Sequence, residues 1–293
     1  MAIKEVIPES ALSVARRLRM RFRKAKVKAL PALTEDDFLS MLTDRLGLTD
    51  GDTVLVHSSM DQLHLAFPFG RILALVRRAI GEAGTMMFPT YPGLPSYEFL
   101  ASGKTFDVRK EPSYMGILTE FARRQRDAVR SLHPTKSVCA IGPLARELTG
   151  SHRQSRYPFD RNSPYYKLVE RGGKIIGLGV SSERNSFVHC VEDVLQDDFP
   201  VRTYHDQLFA ARCIDADGKN IVVETYAHKL HLMNHDIPTF MQRHVSADAC
   251  VDLKIKGMKF FKANAAKLLA EMTELAARGI TIYPRELVER DLA

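Results

Sequence analysis

A histidine and a glutamate three positions apart could carry out acid–base chemistry in this 293-residue chain. His189 and Glu192 follow a β-like run at 174–180, and the apolar positions around them recur at helical spacing. With Ser186 as the cap, this spacing places both side chains on one face near the start of a helix. A neutral imidazole can accept a proton near physiological pH, and a neighbouring carboxylate can orient it. The alternative is an incidental pair at a helix start, and the residues taken alone favour that interpretation.

Three further histidines lie close together in the C-terminal third of the chain. The spacing of His228, His231 and His235 would place them on one face of a predicted helix over 229–243, an arrangement that can bind zinc. No carboxylate or cysteine joins them at ligand spacing. We therefore predict no metal site and keep zinc as an alternative.

Other polar residues follow two predicted strands. His57, Ser58 and Ser59 end a short buried strand, where hydroxyl groups can hold the polar atoms of a ligand or merely cap a helix. A second group of polar residues lies in the loop before a later strand. Its positively charged side chains and hydroxyl groups predict a phosphate-binding site at the edge of the sheet. The members of this loop are Arg130, Ser131, His133, Thr135, Lys136 and Ser137.

The elements that must position these residues alternate between strand and helix over 50–200. This pattern predicts an α/β fold, a three-layer α/β/α arrangement with a mostly parallel central sheet. In the C-terminal third, residues 207–214 and 220–226 flank an Asp-Gly pair and predict an antiparallel hairpin. A terminal helix is predicted over 260–278.

Charge and composition suggest how the chain is divided. The net charge of +7 is concentrated in the first 30 residues, so we predict a basic extension over 1–33 and a single domain over 34–293. Within that domain, 201–245 is predicted to be a substrate-facing insertion. The extension could contact anionic lipid, but it lacks a base-stacking platform, and no nucleic-acid partner is expected. Scattered cysteines and the lack of a long apolar run predict a cytoplasmic protein.

Seven short motifs follow one another in an order that is more specific than any one of them. Together they resemble the aminoglycoside 3-N-acetyltransferase family. The motifs occupy residues 51–59, 84–90, 130–134, 140–145, 163–165, 173–180 and 186–192.

This resemblance implies an acetyltransferase that uses acetyl-CoA as co-substrate, uses no metal and has its own α/β/α fold. It assigns His189 as the general base that deprotonates an amine and Glu192 as its orienting partner. Acetyl-CoA is then expected to contact His57, Ser58, Ser59, Arg130, Ser131, His133, Thr135 and Ser137. The amine substrate is expected to contact Tyr91, Asp193, His228 and His231.

A thiol nucleophile is the rival mechanism, because Cys190 adjoins His189. Adjacent residues on a helix point about 100° apart, so Cys190 is not expected to share the face of His189. We predict direct transfer of the acetyl group.

The expected substrate rests on charge. Between Val201 and His244 the basic residues and histidines roughly balance the acids. This balance favours an anionic amine, such as a nucleotide-linked amino sugar for surface-polysaccharide synthesis. The alternatives are an aminoglycoside 3-N-acetyltransferase that confers antibiotic resistance, a catalytically inactive protein that binds membrane or nucleic acid, and metal-assisted hydrolysis by the three histidines. We expect a small-molecule partner and consider a homodimer.

Overall fold

The fold consists of a large and a small sheet with helices around them, in a computed structural model that describes residues 25–233 and 235–284. The strands are β1 (Thr53–Ser58), β2 (Thr85–Pro89), β3 (Phe106–Asp107), β4 (Val129–Arg130), β5 (Val138–Ile141), β6 (Lys174–Leu178), β7 (Phe209–Ile214), β8 (Asn220–Thr225), β9 (Cys250–Ile255) and β10 (Met258–Asn264). The α-helices are α1 (Glu35–Ser40), α2 (Arg71–Ile80), α3 (Ser96–Ala101), α4 (Ile117–Arg123), α5 (Ala145–Thr149), α6 (Pro164–Glu170), α7 (Cys190–Leu195), α8 (Ile237–His244) and α9 (Ala265–Ala277).

The large sheet has seven strands in the order β4-β5-β2-β1-β6-β10-β9. Its three central strands, β2, β1 and β6, run parallel, and the strands outside them pair antiparallel. Buried apolar runs on the central strands explain their position, since strands covered on both faces need apolar residues at every position. The predicted α/β class is confirmed, with the parallel pairing confined to the centre of the sheet.

Helices cover both faces of this sheet. On β1, Val54 and Val56 pack against α1, α2 and α4, whereas Leu55 belongs to the opposite core with α5, α6, α7 and α9. Successive strand residues point to opposite faces, so one strand contributes to both cores. The α/β/α layering therefore follows directly from the composition of the strands.

The small sheet has the order β3-β7-β8 and its own core with α3. Strands β7 and β8 form the hairpin that the Asp-Gly pair predicts. This sheet lies beside the large one and ends close to the histidine segment that begins at His228.

Two predicted helices have different bounds in the structure. Residues 258–264 form β10 instead of the start of the terminal helix, because they pair with β9 around a tight turn in which Lys256 and Gly257 both have positive φ. The predicted helix over 229–243 is divided into a 3₁₀ turn at Leu230–Met233 and α8. His228 lies before both of these elements.

The predicted basic extension is described only from residue 25 onward. Residues 30–33 contact the domain, since the Leu30 carbonyl lies 2.7 Å from His64 Nδ1 and Leu33 forms a bridge with Leu65. In the described parts of the chain, each helix is too short or too polar to cross a bilayer.

Candidate active site

His189 and Glu192 are positioned by the turn that follows β6. The Asn185 side chain accepts a hydrogen bond from the Phe187 N–H and caps a 3₁₀ turn over Ser186–His189, which continues into α7. The predicted cap, Ser186, instead receives a hydrogen bond from the Tyr91 hydroxyl at 3.0 Å. The pair still shares one face, because three-residue spacing brings the two side chains together in either type of helix.

The pair is a hydrogen-bonded, buried dyad with a third member. His189 Nδ1 bonds Glu192 Oε1, and the Tyr283 hydroxyl lies 2.9 and 2.8 Å from the two Glu192 oxygens. Burial raises the pKa of Tyr283 well above its usual value, so the phenol stays protonated and donates. Tyr283 comes from the segment after α9, and no sequence spacing links it to Glu192.

His228 lies beside this triad and is also buried. Its ring centroid is 5.1 Å from that of His189 and 4.1 Å from that of Tyr204. Neither ring nitrogen has a hydrogen-bond partner among the described residues, and burial lowers the pKa of His228 well below its usual value. A neutral imidazole with unused nitrogens at this position is available to a ligand.

Asp193 points away from the dyad and has a structural role. Its carboxylate accepts the Phe159 N–H and the Tyr204 hydroxyl, both at 2.6 Å. Burial, followed by the nearby Glu192 charge, raises the pKa of Asp193 well above its usual value. In this conformation Asp193 positions Tyr204, and its predicted contact with substrate stays a prediction.

A partly buried lysine lies against one of two buried tyrosines that bond each other. Lys136 Nζ lies 4.7 Å from the ring centroid of Tyr91, whose hydroxyl bonds Tyr165 and Ser186. Burial lowers the pKa of Lys136 to about 8, against the opposing influence of Asp193 and Glu192. Tyr91 therefore contributes an aromatic face for a cation, while its hydroxyl is already bonded.

At the end of β1, two of the three residues predicted to contact acetyl-CoA have a side-chain atom that could bond a ligand. His57 Nε2 and Ser58 Oγ are buried without a partner in the described ranges. Ser59 is used by the protein, since its N–H donates to the Leu178 carbonyl and its hydroxyl to Asp61. Of the three residues, only Ser59 therefore has both its N–H and its hydroxyl engaged within the protein.

The loop predicted to bind phosphates is directed inward. All three guanidinium nitrogens of Arg130 donate to protein groups, among them the carbonyls of Thr90 and Glu111 and the Ser137 hydroxyl. The guanidinium carbon also lies 4.9 Å from the ring centroid of Phe106 on β3. Arg130 therefore joins the two sheets, and each of its three guanidinium nitrogens is engaged within the protein.

The other members of that loop are also buried and satisfied within the protein. Ser131 bonds His152 Nδ1 at 2.7 Å, and the backbone N–H of Thr135 donates to His133 Nδ1 at 3.4 Å. His133 Nε2 lies 3.3 Å from the Thr225 hydroxyl at the end of β8. In this conformation these groups bond one another and the protein, and their predicted contact with acetyl-CoA stays a prediction.

Cys190 is a packing residue. Its thiol is fully buried, donates to the Phe159 carbonyl at 3.3 Å, and has a pKa that burial raises well above its usual value. A thiol that is held protonated and buried in the hydrophobic core is a poor nucleophile.

The histidines do not converge as their spacing suggests. His231 is exposed in the 3₁₀ turn, whereas His189, Glu192 and His228 have potential ligand atoms within 4.8 Å of one another. The ring of His235 lies 5.7 Å from that of His189. The chain fold, and not one helix face, therefore gathers the buried histidines.

An open cavity of about 580 Å³ reaches Glu192. Its wall contains three acidic residues, one arginine and three tyrosines, so the lining is acidic and aromatic. A cavity of this size falls in the range of small-molecule sites. The lining comprises Tyr157, Glu192, Gln196, Asp197, Phe199, Pro200, Val201, Arg202, Thr203, Tyr204, His205, Asp206 and Tyr226.

Known proteins match the chain in both sequence and fold. Residues 55–276 match the sequence model for aminoglycoside 3-N-acetyltransferase. Aminoglycoside N(3)-acetyltransferase VII of Streptomyces paromomycinus is 34% identical over 162 residues, which is 50% of this chain and 56% of that protein. Aminoglycoside N(3)-acetyltransferase III of Serratia marcescens is 30% identical over 163 residues, or 51% and 60% of the two chains. These matches span little more than half the length of the curated relatives.

Solved structures share the fold at lower sequence identity. The binary complex of AAC-IIIb with CoASH has a TM-score of 0.70 at 19% identity, and covers 87% of this chain and 100% of its own. Sisomicin-bound AAC-VIa has a TM-score of 0.71 at 20% identity, and covers 86% and 100%.

These relatives correct one expectation and confirm another. A nucleotide-linked amino sugar for polysaccharide synthesis is wrong as the expected substrate class, because the matched relatives are aminoglycoside acetyltransferases. The charge argument failed because it averaged the segment 201–244, whereas the cavity wall itself is acidic. The predicted family is confirmed, because the sequence model matches more than half of the chain, and the chain belongs to the aminoglycoside 3-N-acetyltransferase family.

Proposed function

We propose that this chain transfers an acetyl group from acetyl-CoA to an amine of an aminoglycoside. The observation that carries the proposal is the buried His189–Glu192–Tyr283 triad at the wall of an acidic, aromatic cavity. The names of the sequence relatives support the aminoglycoside, and the CoASH complex of a structural neighbour supports the co-substrate.

His189 acts as the general base in this proposal. Because Glu192 holds Nδ1, the lone pair that accepts a proton lies on Nε2. An ammonium must lose a proton before its nitrogen attacks the thioester carbonyl, and the imidazole takes that proton. The new C–N bond forms as the C–S bond breaks, and the imidazolium gives its proton to the departing thiolate of CoA. The acylated nitrogen then releases its second proton to solvent and becomes the neutral amide.

The acceptor occupies the cavity beside Glu192. Asp197 and Asp206 attract the ammonium groups of a polycationic sugar, and the tyrosines offer faces for its rings. His228 contributes an unpartnered nitrogen to this side of the site. In this proposal the segment 201–245 is the acceptor-binding part of a single domain.

Acetyl-CoA approaches from the carboxyl ends of β1 and β6. The unpartnered His57 and Ser58 atoms at the end of β1 are the groups we assign to the thioester arm. In this conformation the Arg130 guanidinium nitrogens bond protein groups, so we assign no phosphate contact to that side chain.

The test is a substrate panel with the purified chain. Loss of thioester absorbance is followed with aminoglycosides and with single-ring amino sugars, and mass spectrometry identifies the product. We expect multi-ring, multi-amine acceptors to react with a lower KM and to gain one acetyl group. Equal kcat/KM for singly charged amino sugars would contradict the assignment of the cavity.

A further inference from the structure

The residues around Glu192 have a second chemical capability besides acetyl transfer. One ring nitrogen of His189, a Glu192 oxygen and one ring nitrogen of His228 lie within 4.8 Å of one another. His228 Nε2 is 4.0 Å from Glu192 Oε1, and only 4% of the His228 side chain is exposed. Both nitrogens of His228 lack a hydrogen-bond partner within the described chain. Buried polar atoms normally have a partner, so this ring is directed at a missing one.

We propose that His189, Glu192 and His228 form a Zn²⁺-binding site whose occupation inhibits acetyl transfer. The inhibition rests on the proposed function, whereas the binding of the metal does not.

The ligand set favours zinc over other common cations. Two imidazoles and one carboxylate are donors that Zn²⁺ accepts, and three protein ligands leave a fourth position for water. Magnesium and calcium prefer sites made of oxygen atoms. Zn–N and Zn–O bonds of about 2.0–2.2 Å require ligand atoms about 3.3 Å apart in a tetrahedral site. Separations of up to 4.8 Å therefore close with modest side-chain rotations of His189 and His228.

The second oxygen of Glu192 can keep its support when the metal binds. Oε1 is the atom near both histidines, and the Tyr283 hydroxyl lies 2.9 Å from it and 2.8 Å from Oε2, so the hydrogen bond to Oε2 can persist when Oε1 binds the metal. The phenol therefore acts as an outer hydrogen-bond donor that orients a metal-bound carboxylate.

Inhibition follows because the metal and the catalytic dyad need the same atoms. Zinc binds His189 Nδ1 and Glu192 Oε1, and these two atoms bond each other in the dyad. The imidazole then loses the carboxylate that orients it as a base.

Direct metal binding tests the site without any substrate. The chelator-treated protein is titrated with Zn²⁺ in competition with a colour-forming chelator. We expect one Zn²⁺ per chain, and binding weakened by about 100-fold or more in His228→Ala, because even outer-shell changes weaken metal sites by 10–100-fold. His244→Ala removes an exposed histidine of α8 and is the matched control, expected to bind like the wild type.

A second measurement tests the site even if the His228→Ala protein does not fold. The unaltered chain loaded with Co²⁺ should show the visible absorption of a cobalt ion with histidine ligands. Absence of these bands, or equal zinc affinity in a folded His228→Ala protein, would overturn the site. Acetyl transfer that persists with zinc bound there would overturn the inhibition. A chain that binds zinc but acetylates no amine would instead refute the proposed function and leave the site standing.

Discussion

Replacing Tyr283 with phenylalanine removes one hydroxyl and keeps the ring that packs against Phe199. The hydroxyl is a neutral donor to a buried carboxylate, and hydrogen bonds to charged groups contribute about 1.5–3 kcal/mol. Glu192 would then keep His189 as its partner but lose the donor that fixes its orientation. At the lower limit of that range, about 1.5 kcal/mol, kcat should fall slightly more than about 10-fold.

The assay separates orientation of the base from general damage. Steady-state rates are measured with acetyl-CoA and an aminoglycoside, and we expect kcat to fall while the KM for the amine changes little. Tyr204→Phe is the matched control, since it removes a phenol that donates to the neighbouring carboxylate of Asp193. Both variants should lose comparable unfolding free energy, but Tyr204→Phe should keep kcat within about threefold. A kcat for Tyr283→Phe within twofold of the wild type would refute this role of the phenol.

Three further predictions concern the cavity, acid stability and the joining of the two sheets. Asp197→Asn combined with Asp206→Asn should raise the KM for a multi-amine aminoglycoside about 10-fold in low salt and less in high salt, as measured by initial rates. Burial lowers the pKa of His152 from 6.5 to about 3 in the folded state. Below pH 6.5 the unfolded chain therefore binds a proton that the folded chain does not, and the free energy of unfolding decreases as the pH is lowered. At pH 5.5 this costs about 1.4 kcal/mol, and denaturant titrations of His152→Gln should show an acid loss smaller by that amount. Arg130→Lys should lower the unfolding free energy by about 2–3 kcal/mol and speed amide exchange at Phe106, because a lysine cannot replace the forked contacts to two carbonyls.

The local parts of the site could be predicted from the sequence because they depend on spacing alone. His189 and Glu192 meet whether the segment is a 3₁₀ turn or an α-helix, so an error in the cap did not matter. The hairpin of β7 and β8 was likewise evident from its Asp-Gly turn. Interactions between residues a few positions apart can be predicted because the local sequence determines them.

Contacts between distant segments could not be predicted. Tyr283 is 91 positions from Glu192, and a lone tyrosine after a helix carries no signal for a hydrogen bond to it. His228 joins His189 through the return of the chain from β8, whereas its spacing to His231 suggested a helix face that does not exist. Arg130 looked available for phosphate because the sequence does not show which backbone carbonyls will surround it.

The central claim is that His189 is the base for acetyl transfer, and one measurement tests it most directly. Single-turnover loss of the acetyl-CoA thioester is followed at saturating aminoglycoside with the wild type and with His189→Ala, after calorimetry has verified that the variant binds acetyl-CoA. We predict a rate lower by about 10²–10⁴-fold, the usual contribution of a general base. A folded His189→Ala protein that acetylates the amine within threefold of the wild-type rate would contradict the account.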